Sequence, residues 1–288
     1  MKVKVYAKLN LSLNVGERQG QFHKIDSVVT SIDLFDVVTV TLREDATVTL
    51  SCSADVPTLQ NSAYRAAVEF QKEFGPCGCS IDIVKGIPMG AGFGGSSADA
   101  AAVVYCLCTL FKVDAADSRV KALCARIGSD VNFMLSGGLA RMTGKGDDVE
   151  FLPYCQVYFA VTTFPVAMST KDVYERFDEI GAHVSCDNDK MAECFACGRA
   201  EQALTMCCNG LESSVRSISS YSERYLAFCR LHNINCTMTG SGSAYFVPCV
   251  GRDEAESIAK TLSDNGFSTV AYKSVARGVE TVSVSTKV

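Results

Sequence analysis

The chain has 288 residues, enough for one large domain or for two that share a cleft. Apolar residues make up 48% of it, ample for a sizeable core, and a net charge of −5 with no long basic run speaks against a nucleic-acid partner. No uncharged apolar run reaches membrane-spanning length and the amino terminus reads as a strand rather than a targeting signal, so neither a membrane partner nor secretion is expected.

Residues 2–6 alternate as a strand does, and residues 7–13 continue the pattern. Lys8, Asn10 and Ser12 then share one face and Leu9, Leu11 and Leu13 the other. Two polar side chains aimed the same way from a rigid element suit a site, and they equally suit a solvated strand face. Residues 16–22 read as a polar loop, with His23 following the aromatic Phe22 at its exit. Strands are expected at 28–33, 36–42 and 46–52, then a helix over 61–74 capped by Asn61 or Ser62, then a strand at 80–84.

After that strand comes Pro88-Met-Gly-Ala-Gly-Phe-Gly-Gly-Ser-Ser-Ala-Asp-Ala-Ala-Ala102. Gly86, Gly90, Gly92, Gly94 and Gly95 fall within ten residues, more than a turn requires. Strand, glycine loop and helix start form an anion site, because backbone N–H groups can approach a phosphate there and the positive end of the helix completes the cradle. Gly90-x-Gly92-x-x-Gly95 fits a dinucleotide fingerprint only on paper, since a second helical pattern over 117–127 follows where a parallel strand should. Gly90-x-x-x-x-Gly95 has P-loop spacing, but its lysine position holds Ser96. A triphosphate bound here must therefore draw positive charge from a metal and from lysines elsewhere.

The helix over 97–111 and its successor lead to Gly128-Ser129-Asp130-Val131, where Asp130 can cap a helix, hold a reactive position, or do both. Residues 137–147 read as a strand ending in the glycine turn Gly144-Lys145-Gly146-Asp147. The second half brings a strand at 157–161, a helix near 171–177, helices over 187–231 and a second small-residue loop, Thr239-Gly240-Ser241-Gly242-Ser243-Ala244. A strand at 245–250, a helix over 254–265 and a strand at 268–272 close the chain in an α+β manner. Fifteen cysteines are many, and an odd number. Cys106, Cys108, Cys124 and Cys229 sit inside apolar periodic stretches, which fits a small hydrophobe in a reduced cytoplasm better than a disulfide framework. Cys194-x-x-Cys197 and Cys207/Cys208 lack a second ligand pair at zinc spacing, so no protein metal site is expected from them.

The strand bearing Lys8 and Asn10, the glycine loop, Asp130 and the late Gly-Ser-Gly loop are parts that a kinase can use together. Three of these motifs, Ala7-Lys8-Leu9-Asn10, Pro88-x-x-x-Gly92-Phe93-Gly94-Gly95-Ser96-Ser97 and Thr239-Gly240-Ser241-Gly242-Ser243-Ala244, stand in the order that resembles the GHMP small-molecule kinases. Gly20-x-Phe22-His23, Asp33-Leu34-x-Asp36, Lys85-x-Ile87-Pro88, Asp99-Ala100-Ala101 and Gly144-Lys145-Gly146-Asp147 extend the resemblance over nearly the whole chain. They make it most similar to the branch that phosphorylates the 2-hydroxyl of a cytidine diphosphate-linked methylerythritol on the non-mevalonate route to isoprenoids.

The resemblance implies an α+β two-domain GHMP kinase fold. An N-terminal S5-like α/β domain over 1–153 would carry the ATP loop. A C-terminal ferredoxin-like α+β domain over 154–288 would close the site, with the active site in the cleft between. It implies a cytoplasmic monomer or homodimer using ATP and Mg²⁺. Asp130 matches the catalytic aspartate and Lys8 the lysine beside it. Asn10 matches a substrate-contacting asparagine, His23 a histidine that hydrogen-bonds cytosine, and Phe22 and Tyr174 two aromatics that sandwich that base. Asn61 and Lys85 fall where the family contacts adenosine. Gly90, Ala91, Gly92, Gly94, Gly95, Ser96 and Ser97 belong to the triphosphate loop, and Gly240 and Gly242 to the loop that closes on the substrate. The chain departs from the pattern at Tyr6, where the family has proline, at Phe22, where it has tyrosine, at Asn132, where proline is common, and at Asp147, where it has glutamate. The pair Ser96-Ser97 also sits one step early before Asp99, which leaves open which serine meets phosphate or metal. Other GHMP kinases, acting on mevalonate, phosphomevalonate, homoserine or a sugar, need no aromatic clamp. A nucleotide-binding protein without turnover would have no use for both Lys8 and Asp130.

Overall fold

The computed structural model describes residues 1–20, 22–181 and 184–282. Its first half runs β1 (Lys2–Asn10), β2 (Ser12–Gln19), β3 (Phe22–Arg43), β4 (Val48–Cys52), α1 (Ser62–Phe74), β5 (Gly78–Val84), α2 (Gly95–Phe111), α3 (Ser118–Ile127), α4 (Val131–Ser136), β6 (Leu139–Thr143) and β7 (Asp148–Phe151). The second half runs β8 (Tyr158–Thr163), α5 (Thr170–Ile180), α6 (Asn188–Ala196), α7 (Ala200–Leu204), β9 (Cys208–Asn209), α8 (Glu212–Ile218), α9 (Glu223–Leu231), β10 (Thr237–Met238), β11 (Tyr245–Cys249), α10 (Arg252–Asp264), β12 (Ser268–Val275) and β13 (Val279–Thr281).

Strand β3 is the hub. It pairs with β1, β2, β5, β6 and β12 in turn along its 22 residues. The expected break between 33 and 36 is a bulge in this continuous strand. Tyr6 pairs with Phe35 and Ala7 with Ile32, so Asp33 and Leu34 are the extra residues. Within the stretch 16–22, expected as a loop, residues 16–19 and Phe22 instead belong to a β2–β3 hairpin in which Arg18 faces His23, and Gln21 lies outside the described residues. Main-chain pairing holds that hairpin while the β2 residues from Gly16 to Gln19 stay exposed and none of them is apolar, so no apolar alternation marks that arm. The chain also breaks at Leu11, whose N–H donates to the Val28 carbonyl, so residues 1–13 are two strands rather than one.

Helix α2 crosses the main core. Ala98, Ala100, Ala101, Ala102, Val103, Val104, Cys106, Leu107 and Cys108 are all buried, so the helix is apolar nearly all round and needs neighbours on every side. Its alanines let β1 and α1 approach closely. A second apolar cluster joins α5, α8, α9 and α10 to Leu13 and Val15 of β2. Strand β12 bridges the halves, pairing with β8 along most of its length and with β3 at Ser274 and Val275. Strand β13 then returns to β1.

Cysteines mostly serve as buried hydrophobes, but the expectation of thiols throughout needs one correction. Cys186 and Cys208, with Cα atoms 6.0 Å apart, are disulfide-bonded, and the other cysteines are free. Strand β2 brings the two together. Ser12 pairs with Cys208, while Asn14 accepts from the Cys186 N–H at 2.6 Å and donates to its carbonyl at 2.8 Å.

Candidate active site

Lys8 and Asn10 point from β1 into a cavity of about 1040 Å³ between the two halves. Both are buried, which removes the solvated-face reading of that strand. The Lys8 ammonium donates to Asn10 Oδ1. Asn10 Nδ2 in turn donates to Ser27 Oγ at 2.8 Å, and Ser27 to the Ser12 carbonyl at 2.5 Å. This chain fixes the amide's orientation and so fixes the ammonium. Lys8 Nζ lies 3.5 Å from Asp130 Oδ2. Asp130 occupies the cap position of α4 yet makes no side-chain capping bond, so its carboxylate is left to the cavity.

The glycine loop is held from three sides. The Phe93 carbonyl accepts from the Lys8 N–H at 3.1 Å, the Ala91 carbonyl from the Ala244 N–H at 3.1 Å and the Gly90 carbonyl from the Met168 N–H at 2.9 Å. Gly92 has φ +88, and a Cβ there would sit 2.1 Å from the Thr239 carbonyl oxygen. The two small-residue loops can therefore touch only because both are nearly bare backbone. Gly94 caps α2 in the left-handed region and offers no side-chain hydrogen bond. The first N–H groups of α2, at Gly95, Ser96 and Ser97, thus face the cavity uncapped, the arrangement that receives anionic oxygens. Ser96 is exposed. Ser97 Oγ turns back toward Gly128, 3.6 Å from where a Cβ there would lie, which brings it to the Asp130 side of the cavity.

At one end of the cavity Asn61 caps α1, accepting from the Ala63 N–H at 2.9 Å. Nearby, the Lys85 ammonium is held between Asp36 and Asp99, at 2.7 Å from Asp99. Asp36 also accepts from the backbone N–H groups of Gly86 and Ile87 at 2.6 and 2.8 Å, fixing the start of the glycine loop. Burial, together with the charge of Asp36, pushes the Asp99 carboxyl up to about 7 against the pull of Lys85. Among the described residues, Asp99 Oδ1 has no hydrogen-bond partner.

At the other end stand Phe22, half exposed, and the buried His23. Tyr174 lies tilted against the imidazole with centroids 5.1 Å apart, Phe177 meets it edge-on, and Asp178 Oδ1 is 2.6 Å from His23 Nε2. Burial and the charge of Asp130 push the Tyr174 hydroxyl well above its usual range, so it stays protonated. Lys145, from the 144–147 turn, sits 5.5 Å over the Phe22 ring.

Lys8, Asn10, Phe22, His23, Asn61, Lys85, the loop from Gly90 to Ser97, Asp130, Tyr174 and Gly240 thus line one cavity. Gly242 packs behind it, against Met238 and Tyr221. Sequence reasoning did not single out Arg18, Asp99, Lys145 or Asp178 as lining residues. Asp178 stands one helical turn beyond Tyr174, and that spacing is the signal that points to it. Arg18 was hidden by reading its hairpin as a loop.

Residues 61–140 match the family described as GHMP kinases N terminal domain. The chain is 34% identical over 279 residues to the 4-diphosphocytidyl-2-C-methyl-D-erythritol kinase of Desulfitobacterium hafniense (strain Y51), covering 95% of each chain. It is 33% identical to the kinase of the same name from Caldicellulosiruptor bescii, over 85% of this chain and 88% of that one. Among solved structures, a 4-(cytidine 5'-diphospho)-2C-methyl-D-erythritol kinase superposes with TM-score 0.76 at 26% identity, over 95% of this chain and 99% of the other. Homoserine kinase from Cytophaga hutchinsonii superposes with TM-score 0.73 at 17% identity, over 98% and 97%, which shows a shared fold.

Proposed function

The chain belongs to the 4-diphosphocytidyl-2-C-methyl-D-erythritol kinase family of the GHMP kinases, and from that premise we propose that it transfers the γ-phosphoryl group of ATP to the 2-hydroxyl of 4-diphosphocytidyl-2-C-methyl-D-erythritol. The single observation that carries this reading is the Lys8–Asp130 pair, 3.5 Å apart on the floor of the cavity beside the uncapped start of α2. In the proposed reaction the acceptor oxygen bonds to the γ-phosphorus as the bond from that phosphorus to the bridging oxygen breaks. Asp130 takes the hydroxyl proton, and Lys8 offsets charge on the transferring group. The N–H groups of Gly95, Ser96 and Ser97 hold phosphate oxygens in place.

Phe22 and Tyr174 flank the cytosine and His23 hydrogen-bonds its edge, while Asn10 orients the acceptor and Asn61 and Lys85 face the adenosine side. Gly240 closes the loop over the substrate, while Gly242, packed behind the cavity against Met238 and Tyr221, shapes that loop without touching the substrate. Mg²⁺, when bound, neutralises phosphate charge. Asp99 Oδ1, unpartnered among the described residues, and the Ser97 hydroxyl are oxygen donors of the kind this ion takes alongside phosphates, and they would hold it with the Asp99 carboxyl deprotonated. The two-part organisation, 1–153 and 154–288 around the cleft, is part of the proposal, supported by cavity walls drawn from both parts. A cytoplasmic setting is supported by the free thiols outside the one disulfide.

The test is turnover with ATP, Mg²⁺ and the cytidyl substrate. ³¹P NMR should show a new phosphomonoester on the tetritol. Asp130→Asn should lower kcat by about 10²–10⁴-fold with ATP binding kept. Near-normal turnover in that variant removes Asp130 from its role.

A further inference from the structure

Helix α5 meets the His23 imidazole with three side chains at helical spacing. Tyr174 covers one face, Phe177 meets it edge-on, and Asp178 Oδ1 lies 2.6 Å from Nε2. From the hairpin, Arg18 Nη1 donates to Asp178 Oδ2 at 3.0 Å and holds the carboxylate from the far side. Building on the base subsite proposed above, we infer that Asp178 is a specificity-determining positioning residue. By accepting the Nε2 proton it fixes the His23 tautomer whose Nδ1 is an acceptor, and so selects a pyrimidine bearing an exocyclic amine over one bearing a carbonyl there.

The chemistry follows from the donor inventory. An ionised carboxylate has no proton to give, so Nε2 must be the donor at 2.6 Å. In the neutral ring the proton is then spent, and Nδ1 carries a lone pair. Among the described residues the ring makes no other hydrogen bond, and His23 lines the cavity. The amine of a cytosine can donate to such an acceptor. The corresponding carbonyl oxygen of a uracil cannot, and it would leave two acceptors facing each other in a buried place. A site built to pair one polar group rejects an analogue that lacks it far better than an apolar pocket rejects a change of size. The aromatic neighbours supply stacking, which is indifferent to this distinction, so discrimination falls to the hydrogen bond that Asp178 directs.

The experiment titrates the full chain with CDP and with UDP and follows His23 by ¹⁵N NMR, its signals assigned against His23→Gln. The wild type should prefer CDP by about tenfold or more, with Nε2 protonated and Nδ1 unprotonated in the CDP complex. Asp178→Asn keeps the shape but lets an amide donate to Nε2. It should shift His23 toward the Nδ1–H tautomer and shrink or invert the CDP preference, while ATP affinity stays unchanged. Asp178→Ala should abolish the preference. An unmoved CDP:UDP ratio in Asp178→Asn, a ring protonated on both nitrogens in the complex, or loss of ATP binding alongside CDP binding would each overturn the inference. Wild type that binds neither nucleotide would remove the base subsite itself, and this inference with it.

Discussion

Single residues in this protein are held by their neighbours more than by their own elements. The sequence placed Lys8 and Asn10 on one strand face but left open whether that face is a site or solvated, and the structure decides it by burying both. Asp130 was legible because a carboxylate after Gly-Ser stands at a turn. What the sequence could not show is how they are fixed: the chain from Lys8 through Asn10 and Ser27 to the Ser12 carbonyl is tertiary, closed by pairing between strands 17 residues apart. The Lys85 cluster makes a prediction at this scale. Two carboxylates share one buried ammonium, and Asp99 is raised from 3.8 to about 7 by burial and by Asp36. The folded state therefore holds a proton that the unfolded chain has released, and the contribution of Asp99 to stability falls as pH rises from about 4 through about 7. Asp99→Asn, which carries no such proton, should flatten that part of the curve. Thermal unfolding followed at half-unit steps from pH 4.5 to 8 checks this. A variant slope identical to that of the wild type would mean that Asp99 is not the group.

At the scale of elements, α1, α2, α3 and α10 were read within about two residues because apolar periodicity and caps mark them, as Asn61 does for α1, whereas α5 runs on to Ile180 and the stretch 187–231, expected as helices, also holds β9. Strand joins were read less well. The β2–β3 hairpin is polar on its exposed end, and the bulge at Asp33 and Leu34 looks like a break in any linear reading. Short strands such as β9 and β13 exist only because a distant strand is there to pair with them. The glycine loop was legible as bare backbone leading into a helix start, and the structure adds why a bare position such as Gly94 matters. A Cβ on Gly94 would lie 2.3 Å from Met134 Cε and 3.3 Å from Lys8 Cγ, at φ +72. Valine there should cost of order 1–3 kcal/mol of loop strain and weaken ATP binding about tenfold or more by displacing the α2 start. Calorimetric titration with ATP measures it, and unchanged affinity would place the triphosphate elsewhere.

Over the whole molecule, the cavity exists because β3 and β12 tie the halves into one sheet while α5 and the Gly-Ser-Gly loop come across from the second half. One helix, α2, gives its start to the cavity and its body to the core, so cavity wall and core packing share an element. Homoserine kinase superposes over nearly the same length, and overall shape therefore does not choose the acceptor. In the function proposed here, that choice rests on the cavity-lining cluster of Phe22, His23, Tyr174 and Asp178. The most direct measurement is kcat/KM with saturating ATP and Mg²⁺ for three alcohols side by side: 4-diphosphocytidyl-2-C-methyl-D-erythritol, mevalonate and homoserine. The cytidyl substrate should exceed the other two by at least about 10³-fold, the scale on which a matched polar site discriminates. Comparable or greater turnover of mevalonate or homoserine would contradict the account.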